Sequence, residues 1–475
     1  MVTKITSDTT SANASTPSAF SQLALSKALL DNLDSLGFKT MTPIQAQSLP
    51  PILEGRDVIG QAKTGSGKTA AFGLGILHAL RVKRFRVQSL VLCPTRELAD
   101  QVAKEIRRLA RAIHNIKVLT LCGGMPFGPQ IGSLEHGAHI VVGTPGRVEE
   151  HLRKGNLDLA EVSTFVLDEA DRMLDMGFAA SIDAIIEHTP RQKQTLLFSA
   201  TFPKEIEQIA QKVQKDAIKI QVAAGHTKQS IAESAYHVEG DDQRLQAVQL
   251  LLLKHAPESA VVFCNTKKAV QDVSDALSDA GFSAQALHGD LEQRDRDITI
   301  TRFANKSVQV MVATDVAARG LDIHALDLVI NYHLARDNDV HTHRVGRTGR
   351  AGAKGVACHL FSEKERFKIE RLQEQSGITW PRSALPDKTL LKQAPPLPEM
   401  VTIQIDGGKK QKVRPGDIVG CLTGHQGIDA QAIGTISIFD NSAFVAITFD
   451  KVNVALKKIQ QGKLKGRSFR VRKIT

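Results

Sequence analysis

Short unbroken apolar runs recur along this chain, and between them apolar residues return every three or four positions. Ser89 to Cys93, Lys117 to Leu121, His139 to Val142, Thr164 to Leu167 and Thr195 to Phe198 are such runs. Strands that are apolar throughout and separated by helices imply a parallel sheet covered on both faces. A polar stretch from Ala223 to Gln229 breaks the pattern and predicts a linker. The alternation restarts with Ala260 to Cys264, Ala284 to Leu287, Gln309 to Ala313, Asp327 to Asn331 and Gly355 to Phe361, which predicts a second sheet of the same kind.

The two ends of the chain depart from this rhythm. Residues 1–19 are rich in Ser, Thr and Ala, and disorder is expected there. Leu25, Leu29, Leu33 and Leu36 then predict a helix over Phe20 to Leu36, closed by Gly37. After Trp380, Pro386, Pro395, Pro396 and Pro398 mark a semi-extended linker. The last 76 residues read β-α-β-β-α-β: Val401 to Ile405, a helix opening near Pro415, Ile433 to Phe439, Ala443 to Phe449, a helix Val452 to Gln461, and Ser468 to Ile474. The predicted organisation is a tail 1–19, an α/β domain 20–222, a linker 223–231, an α/β domain 232–380, a Pro-rich linker 381–399 and a small α+β domain 400–475.

A length of 475 residues suits two or three such domains. Lys and Arg exceed Asp and Glu by 11, and the excess is uneven: residues 400–475 hold 13 basic and 5 acidic side chains, a net of +8. A polyanion-binding surface is therefore expected chiefly in the last domain. The five cysteines are scattered and form no C-x-x-C pair, which argues against a zinc site or a disulfide framework. No apolar run is long enough to cross a bilayer and no signal pattern opens the chain, so a cytoplasmic protein is expected.

The candidate chemistry centres on Ala62-Lys63-Thr64-Gly65-Ser66-Gly67-Lys68-Thr69, between a short strand at Asp57 to Gly60 and a helical run from Ala70 to Leu80. Gly65 and Gly67 let backbone N–H groups point at a polyphosphate, Lys68 can reach the β and γ phosphates, and the Thr69 hydroxyl can ligate Mg²⁺. Ahead of it, Gln45 carries both a donor and an acceptor, as an adenine edge requires, and Phe38 can stack on the same base. Other polar signatures follow predicted strands, where ligands bind in such sheets. They are Pro94-Thr95-Arg96-Glu97-Leu98, Thr144-Pro145-Gly146-Arg147, Asp168-Glu169-Ala170-Asp171 and Ser199-Ala200-Thr201. Asp168 would hold Mg²⁺, mostly through water, and Glu169 would orient the attacking water. Arg96 and Arg147, with Thr95 and Thr144, carry donors suited to the phosphates of a bound polymer. In the second domain, His343-Arg344-Val345-Gly346-Arg347-Thr348-Gly349-Arg350 places three arginines at a spacing of three, too many charges on one turn for a structural role. If Arg347 and Arg350 meet the γ-phosphate, the site is complete only when the two domains close.

Taken in order, these strings, with PTREL, Gly123-Gly124, Ala318-Arg319-Gly320-Leu321-Asp322 and the literal Asp-Glu-Ala-Asp, resemble the DEAD-box RNA helicases from Phe20 to about Trp380. The resemblance implies two RecA-like doubly wound parallel-sheet domains that close on ATP, Mg²⁺ and single-stranded RNA and open short duplexes locally. It implies a ribose contact from Asp322, coupling of the ATP and RNA sites through Ser199 and Thr201, and RNA contacts from Gly124, Gln293, Arg296 and Thr314. The last domain resembles an RNA-recognition motif, but Asp440 stands at a basic consensus position and Ser442 at an aromatic one, leaving only Phe444 on the sheet. Lys409, Lys410, Lys412 and Arg414, and then Lys463, Lys465 and Arg467, are the expected RNA contacts, away from that face. The strings Arg414-Pro415-Gly416-Asp417-Ile418-Val419-Gly420 and Gly462-Lys463-Leu464-Lys465-Gly466 resemble the tail of one bacterial branch of the family. That resemblance implies a 23S rRNA hairpin as target and a role in assembly of the 50S subunit. A general RNA helicase, a translocating DNA helicase and an ATP-gated RNA clamp are the competing readings.

Overall fold

The computed structural model describes residues 19–62, 65–202, 204–222, 231–318, 326–349, 355–425 and 427–474. The expected tail 1–19 lies outside the described residues apart from Ala19, and the predicted linker 223–231 apart from Ile231, which opens a strand instead. The chain forms two compact units, 1–225 and 226–475.

The first unit is built on β1 (Val58–Gln61), β2 (Ser89–Leu92), β3 (Val118–Leu121), β4 (Ile140–Gly143), β5 (Thr164–Asp168), β6 (Gln194–Ser199) and β7 (Ile218–Gln221). These form one parallel sheet in the order β3-β4-β2-β5-β6-β1-β7. Every residue of β2, β4 and β5 is buried, because successive side chains enter cores on opposite faces. Val91, Val142 and Val166 join one core with Phe72 and Ile76, whereas Leu90, Val141 and Phe165 join the other with Ile182 and Ile185. Each such aliphatic or aromatic side chain contributes about 1.5–3 kcal/mol by leaving water. The helix Arg96–Leu109 covers the sheet with Leu98, Ala99, Val102, Ala103, Ile106 and Leu109, the three-and-four spacing of one face.

The second unit repeats the plan with β8 (Ile231–His237), β9 (Ala260–Phe263), β10 (Ala284–Leu287), β11 (Val310–Ala313), β12 (Leu328–Asn331), β13 (Gly355–Phe361) and β14 (Arg382–Ser383). The order β10-β11-β9-β12-β13-β8-β14 is the same permutation as in the first sheet, and every pairing is parallel. Both are RecA-like doubly wound folds. The same unit carries β15 (Met400–Ile405), β16 (Ile433–Ile438), β17 (Ala443–Thr448) and β18 (Val471–Ile474), an antiparallel sheet of order β16-β17-β15-β18. The helices Pro415–Thr423 and Val452–Gln461 close one face of it through Ile418, Leu422, Ala455 and Ile459.

Two local expectations need correction. The first helix does not run from Phe20: a 3-10 turn Phe20–Gln22 precedes a helix Lys27–Ser35, because the Ser26 hydroxyl caps it by accepting from Leu29 N at 3.4 Å. The strands β7, β8 and β14 come from stretches that show no unbroken apolar run. All five cysteine thiols are free, and among the described residues no helix is long and apolar enough to cross a membrane.

Candidate functional site

The glycine-rich turn lies between β1 and the helix Lys68–Ala79, at the carboxyl edge of the first sheet. Gly67 caps that helix with φ 94°, a left-handed conformation that favours glycine, and a Cβ there would crowd Gln45 Nε2. Lys68 is buried and donates from Nζ to the Ala62 carbonyl at 2.7 Å, and Thr69 follows at the second helical position. Lys63 and Thr64 lie outside the described residues.

The segment at Thr42 to Gln45 is stitched to this turn. Thr42 Oγ1 donates to the Ser66 carbonyl at 2.7 Å, Gln45 Nε2 donates to the Gly67 carbonyl at 3.1 Å, and Gln45 Oε1 accepts from Thr42 N at 2.9 Å. Gln45 therefore shapes the phosphate turn directly, and its second N–H and second lone pair remain for a base edge. Thr42 is a site residue that sequence did not single out; its signal was the Thr-x-x-Gln capping pattern. Phe38 is half-buried, edge-on to Phe20 at 5.8 Å with the Arg108 guanidinium 5.1 Å from its ring centroid.

β5 delivers Asp168 to the same edge. Burial pushes its carboxyl up to about 7, the Lys68 charge pulling it down and Glu169 pushing it further up. Its Oδ1 is buried with no hydrogen-bond partner among the described residues. A buried, unsatisfied carboxylate oxygen beside a lysine is the donor a hard cation would satisfy, so the residues present fit Mg²⁺. Glu169 holds the left-handed region at φ 53°, which costs a non-glycine residue about 1–2 kcal/mol. Asp171, unassigned from sequence, links the acidic strand end to β6. Its Oδ2 accepts from Thr201 N at 3.0 Å and Thr201 Oγ1 at 2.8 Å, and its own N–H donates to Ser199 Oγ at 3.3 Å.

The remaining candidates of this unit occupy the other half of the same edge, after β3, β4 and β2. Gly124 is exposed in a turn at φ 73°. Thr144 and Thr95 cap the helices Pro145–Arg153 and Arg96–Leu109, and Thr95 Oγ1 accepts from Leu98 N at 3.2 Å. Arg96 pairs with Asp100 at 3.8 Å. Arg147 donates to the Met125 carbonyl at 3.0 Å and pairs with Glu150 at 3.1 Å, which holds the Gly124 turn in place. One edge thus runs from the candidate RNA-contact residues after β3, β4 and β2 to the candidate nucleotide residues after β5, β6 and β1.

In the second unit, Gln293 opens the helix Gln293–Ala304 and bonds Asp297 at 2.9 Å, Arg296 donates to the His288 carbonyl at 3.4 Å, and Thr314 Oγ1 accepts from Ala317 N at 3.3 Å. Arg347 follows the helix Asn338–Val345, whereas Asp322 and Arg350 lie outside the described residues. The expectation that none of the three arginines is structural is wrong for Arg344, which is 2% exposed. It grips Asp315 with two bonds of 2.6 and 2.8 Å, and donates to Asn331 Oδ1, the His333 carbonyl and Asn265 Oδ1. A buried guanidinium persists only when its donors are used in this way.

The two basic strings of the small domain meet. Asp417 Oδ2 accepts from Arg414 N at 2.8 Å and pairs with Lys465 at 3.9 Å, within the hairpin closed by Leu464 and Arg467. Lys409, Lys410, Lys412, Arg414, Lys463, Lys465 and Arg467 are all exposed. Phe444, by contrast, is buried edge-on to Phe439 at 5.4 Å. It shares the sheet face of Thr402 and Gln404, and Thr402 is fully buried against Asn305 and Ser307 at 3.2 and 2.6 Å.

Residues 42–209 match the DEAD/DEAH box helicase family, 243–352 the helicase conserved C-terminal domain and 402–473 the DbpA RNA binding domain. The chain is similar to the ATP-dependent RNA helicase DbpA of Escherichia coli, 51% identical over 96% of this chain and 99% of that protein. Its likeness to DbpA of Bacillus subtilis is 35% over the same shares. Saccharomyces cerevisiae Dbp5 bound to RNA and ADP BeF3 superposes with a TM-score of 0.70 at 30% identity, over 80% of this chain and 100% of that one. The chain belongs to the DEAD-box ATP-dependent RNA helicases, as a member of the DbpA type with its RNA-binding domain.

Proposed function

We propose that this ATP-dependent RNA helicase opens short duplexes of 23S rRNA during assembly of the 50S subunit, anchored by its small basic domain. The observation that carries the reading is the continuous carboxyl edge of the first sheet. There the phosphate donors on β3-β4-β2 adjoin the nucleotide elements on β5-β6-β1, and Asp171 bonds Thr201 at 2.8 Å.

In this proposal residues 20–222 and 232–380 are the two motor domains and 400–475 the anchor. Gly65, Ser66 and Gly67 present N–H groups to the triphosphate, Lys68 moves from the Ala62 carbonyl to the β and γ phosphates, and Gln45 and Phe38 hold the adenine. Thr69 and Asp168 would hold Mg²⁺, which when bound neutralises charge on the phosphate oxygens. Glu169 orients the attacking water and accepts its proton. Arg347 and Arg350 would stabilise charge on the transferred phosphoryl group, and Asp322 the ribose. Thr95, Arg96, Gly124, Thr144 and Arg147, with Gln293, Arg296 and Thr314, bind the RNA backbone. Ser199 and Thr201, held by Asp171, pass a shift at Asp168 and Glu169 towards that RNA edge. The exposed strings 409–414 and 463–467 supply the anchor, which raises the local concentration of duplex at the motor.

The test is steady-state ATP hydrolysis with a large-subunit rRNA fragment, unrelated RNA and single-stranded DNA, for the full chain and for a chain truncated after Trp380. Stimulation by the rRNA fragment above all others, lost on truncation, supports the proposal. Equal stimulation by any RNA, unchanged by truncation, leaves a general helicase, and hydrolysis without duplex opening leaves an ATP-gated clamp.

A further inference from the structure

Glu233 on β8, His341 on the helix Asn338–Val345 and His359 on β13 converge in the interior of the second unit, their nearest ligand atoms within 4.8 Å of one another. Glu233 Oε2 lies 3.1 Å from His341 Nε2 and 3.0 Å from His359 Nε2. Trp380 closes the cluster, its ring 4.2 Å from that of His359 and 4.9 Å from that of His341. Two histidines and a carboxylate are the ligand set of a zinc or iron site, and the direction of the hydrogen bonds decides against one.

Arg344 has only donors, so its 2.8 Å contact fixes Oδ1 of Asn331 toward it. Asn331 Nδ2 must then face His359 Nδ1, 2.9 Å away, which makes Nδ1 the acceptor and places the ring proton on Nε2. That proton points at Glu233. A metal on His359 Nε2 would need the opposite tautomer and would set two N–H groups against each other. Burial pushes His359 down to about 4, and hydrogen bonds from both histidines bring Glu233 to about 2 although burial alone would raise it. A neutral His359 donating to an ionised Glu233 is the state that both shifts describe.

The donors run one way: Arg344 to Asn331, Asn331 to His359, His359 to Glu233, with His341 closing the loop back to the helix that bears Arg344. Arg347 leaves that helix three residues on. Its N–H bonds the Arg344 carbonyl at 3.2 Å and its carbonyl accepts from Leu326 N at 3.1 Å. We propose that Glu233 is a positioning residue for Arg347: as the common acceptor of His341 and His359 it anchors both ends of the bonded loop that sets where the helix Asn338–Val345 delivers that arginine. The inference rests on the role proposed above for Arg347.

The test measures RNA-stimulated ATP hydrolysis, RNA affinity by fluorescence anisotropy and the far-ultraviolet circular dichroism spectrum of the full chain. Glu233→Gln is expected to lower kcat about 10- to 100-fold, as a misplacement of about 1 Å does, with KM for ATP, RNA affinity and spectrum unchanged. The double variant Glu233→Gln/Arg347→Ala is expected to be no slower than Arg347→Ala alone. His341→Phe keeps the ring stack but not the donor and is expected to behave as Glu233→Gln, whereas His341→Gln keeps a donor and stays within about threefold of the parent. That pair decides the matter if Glu233→Gln does not fold. Parental kcat in Glu233→Gln or His341→Phe overturns the proposal, as does multiplication of the two effects in the double variant, or stoichiometric zinc in the purified protein. Parental kcat in Arg347→Ala overturns the arginine's role and the proposal with it.

Discussion

The two RecA-like domains share one strand permutation, yet their carboxyl edges are finished differently. The first leaves needs unmet: a buried oxygen of Asp168 without a partner among the described residues, a lysine spent on a loop carbonyl, and Glu169 in a left-handed conformation. In the second, the donors of Arg344 are taken up by Asp315, Asn331, His333 and Asn265, and deeper in the domain Glu233 accepts from two histidines, while Asn338 Oδ1 and His343 Nδ1 on the same helix and Trp380 Nε1 are buried without a hydrogen-bond partner among the described residues. A topology therefore supplies an edge and does not supply its chemistry. The Asp168 edge offers a buried acceptor to a ligand, whereas the Arg344 network ties the helix Asn338–Val345 to the ends of three strands.

The sharpest way to break this contrast is Arg347→Ala. It is expected to cost roughly 10³-fold or more in kcat at saturating RNA, and an unchanged single-turnover rate would leave the Arg344 network with scaffolding only. Glu169→Gln comes next, at roughly 10²-fold or more in hydrolysis with ATP and RNA binding intact by equilibrium titration. Ordinary turnover there would mean that the left-handed carboxylate is not the water-orienting group. Lys68→Ala removes a charge-assisted contact of about 1.5–3 kcal/mol and should weaken binding of a fluorescent ATP analogue by roughly 10- to 100-fold; unchanged affinity would count against the cradle.

The smallest expected effect is acid sensitivity confined to the second domain. His359 is neutral when folded, with its pKa down from 6.5 to about 4, so the unfolded chain takes up a proton first. That stability is full above about 6.5 and is lost as pH falls toward 4. Glu233, down from 4.5 to about 2, adds a loss in the same direction between those values. The chain has a single tryptophan, Trp380, stacked on His359. The urea midpoint of its fluorescence should fall steadily from pH 7 to pH 4.5, and a flat midpoint would remove the asymmetry.

Both parallel sheets were legible because runs such as Leu90 to Cys93 and Ala260 to Cys264 are apolar on both faces, a pattern few solvent-facing segments show. β8 escaped notice for a related reason: Glu233 and Ser234 read as a polar stretch, and the Glu233 carboxylate is in fact directed at two buried histidines. The phosphate turn, Asp168 and Glu169 were legible as contiguous strings. Asp171 and Thr42 were present in those strings or beside them, but their roles depend on partners 30 and 24 residues away.

Sequence alone determined the fold class, the order of the motifs and their family, because periodicity and short chemical strings are local properties. Tertiary structure alone decided that Arg344 is buried, which oxygen of Asp168 goes unsatisfied, and which face of the small domain's sheet buries Phe444. Those outcomes depend on which donors and acceptors long-range packing brings within bonding distance, and on what burial then charges for any left unpaired.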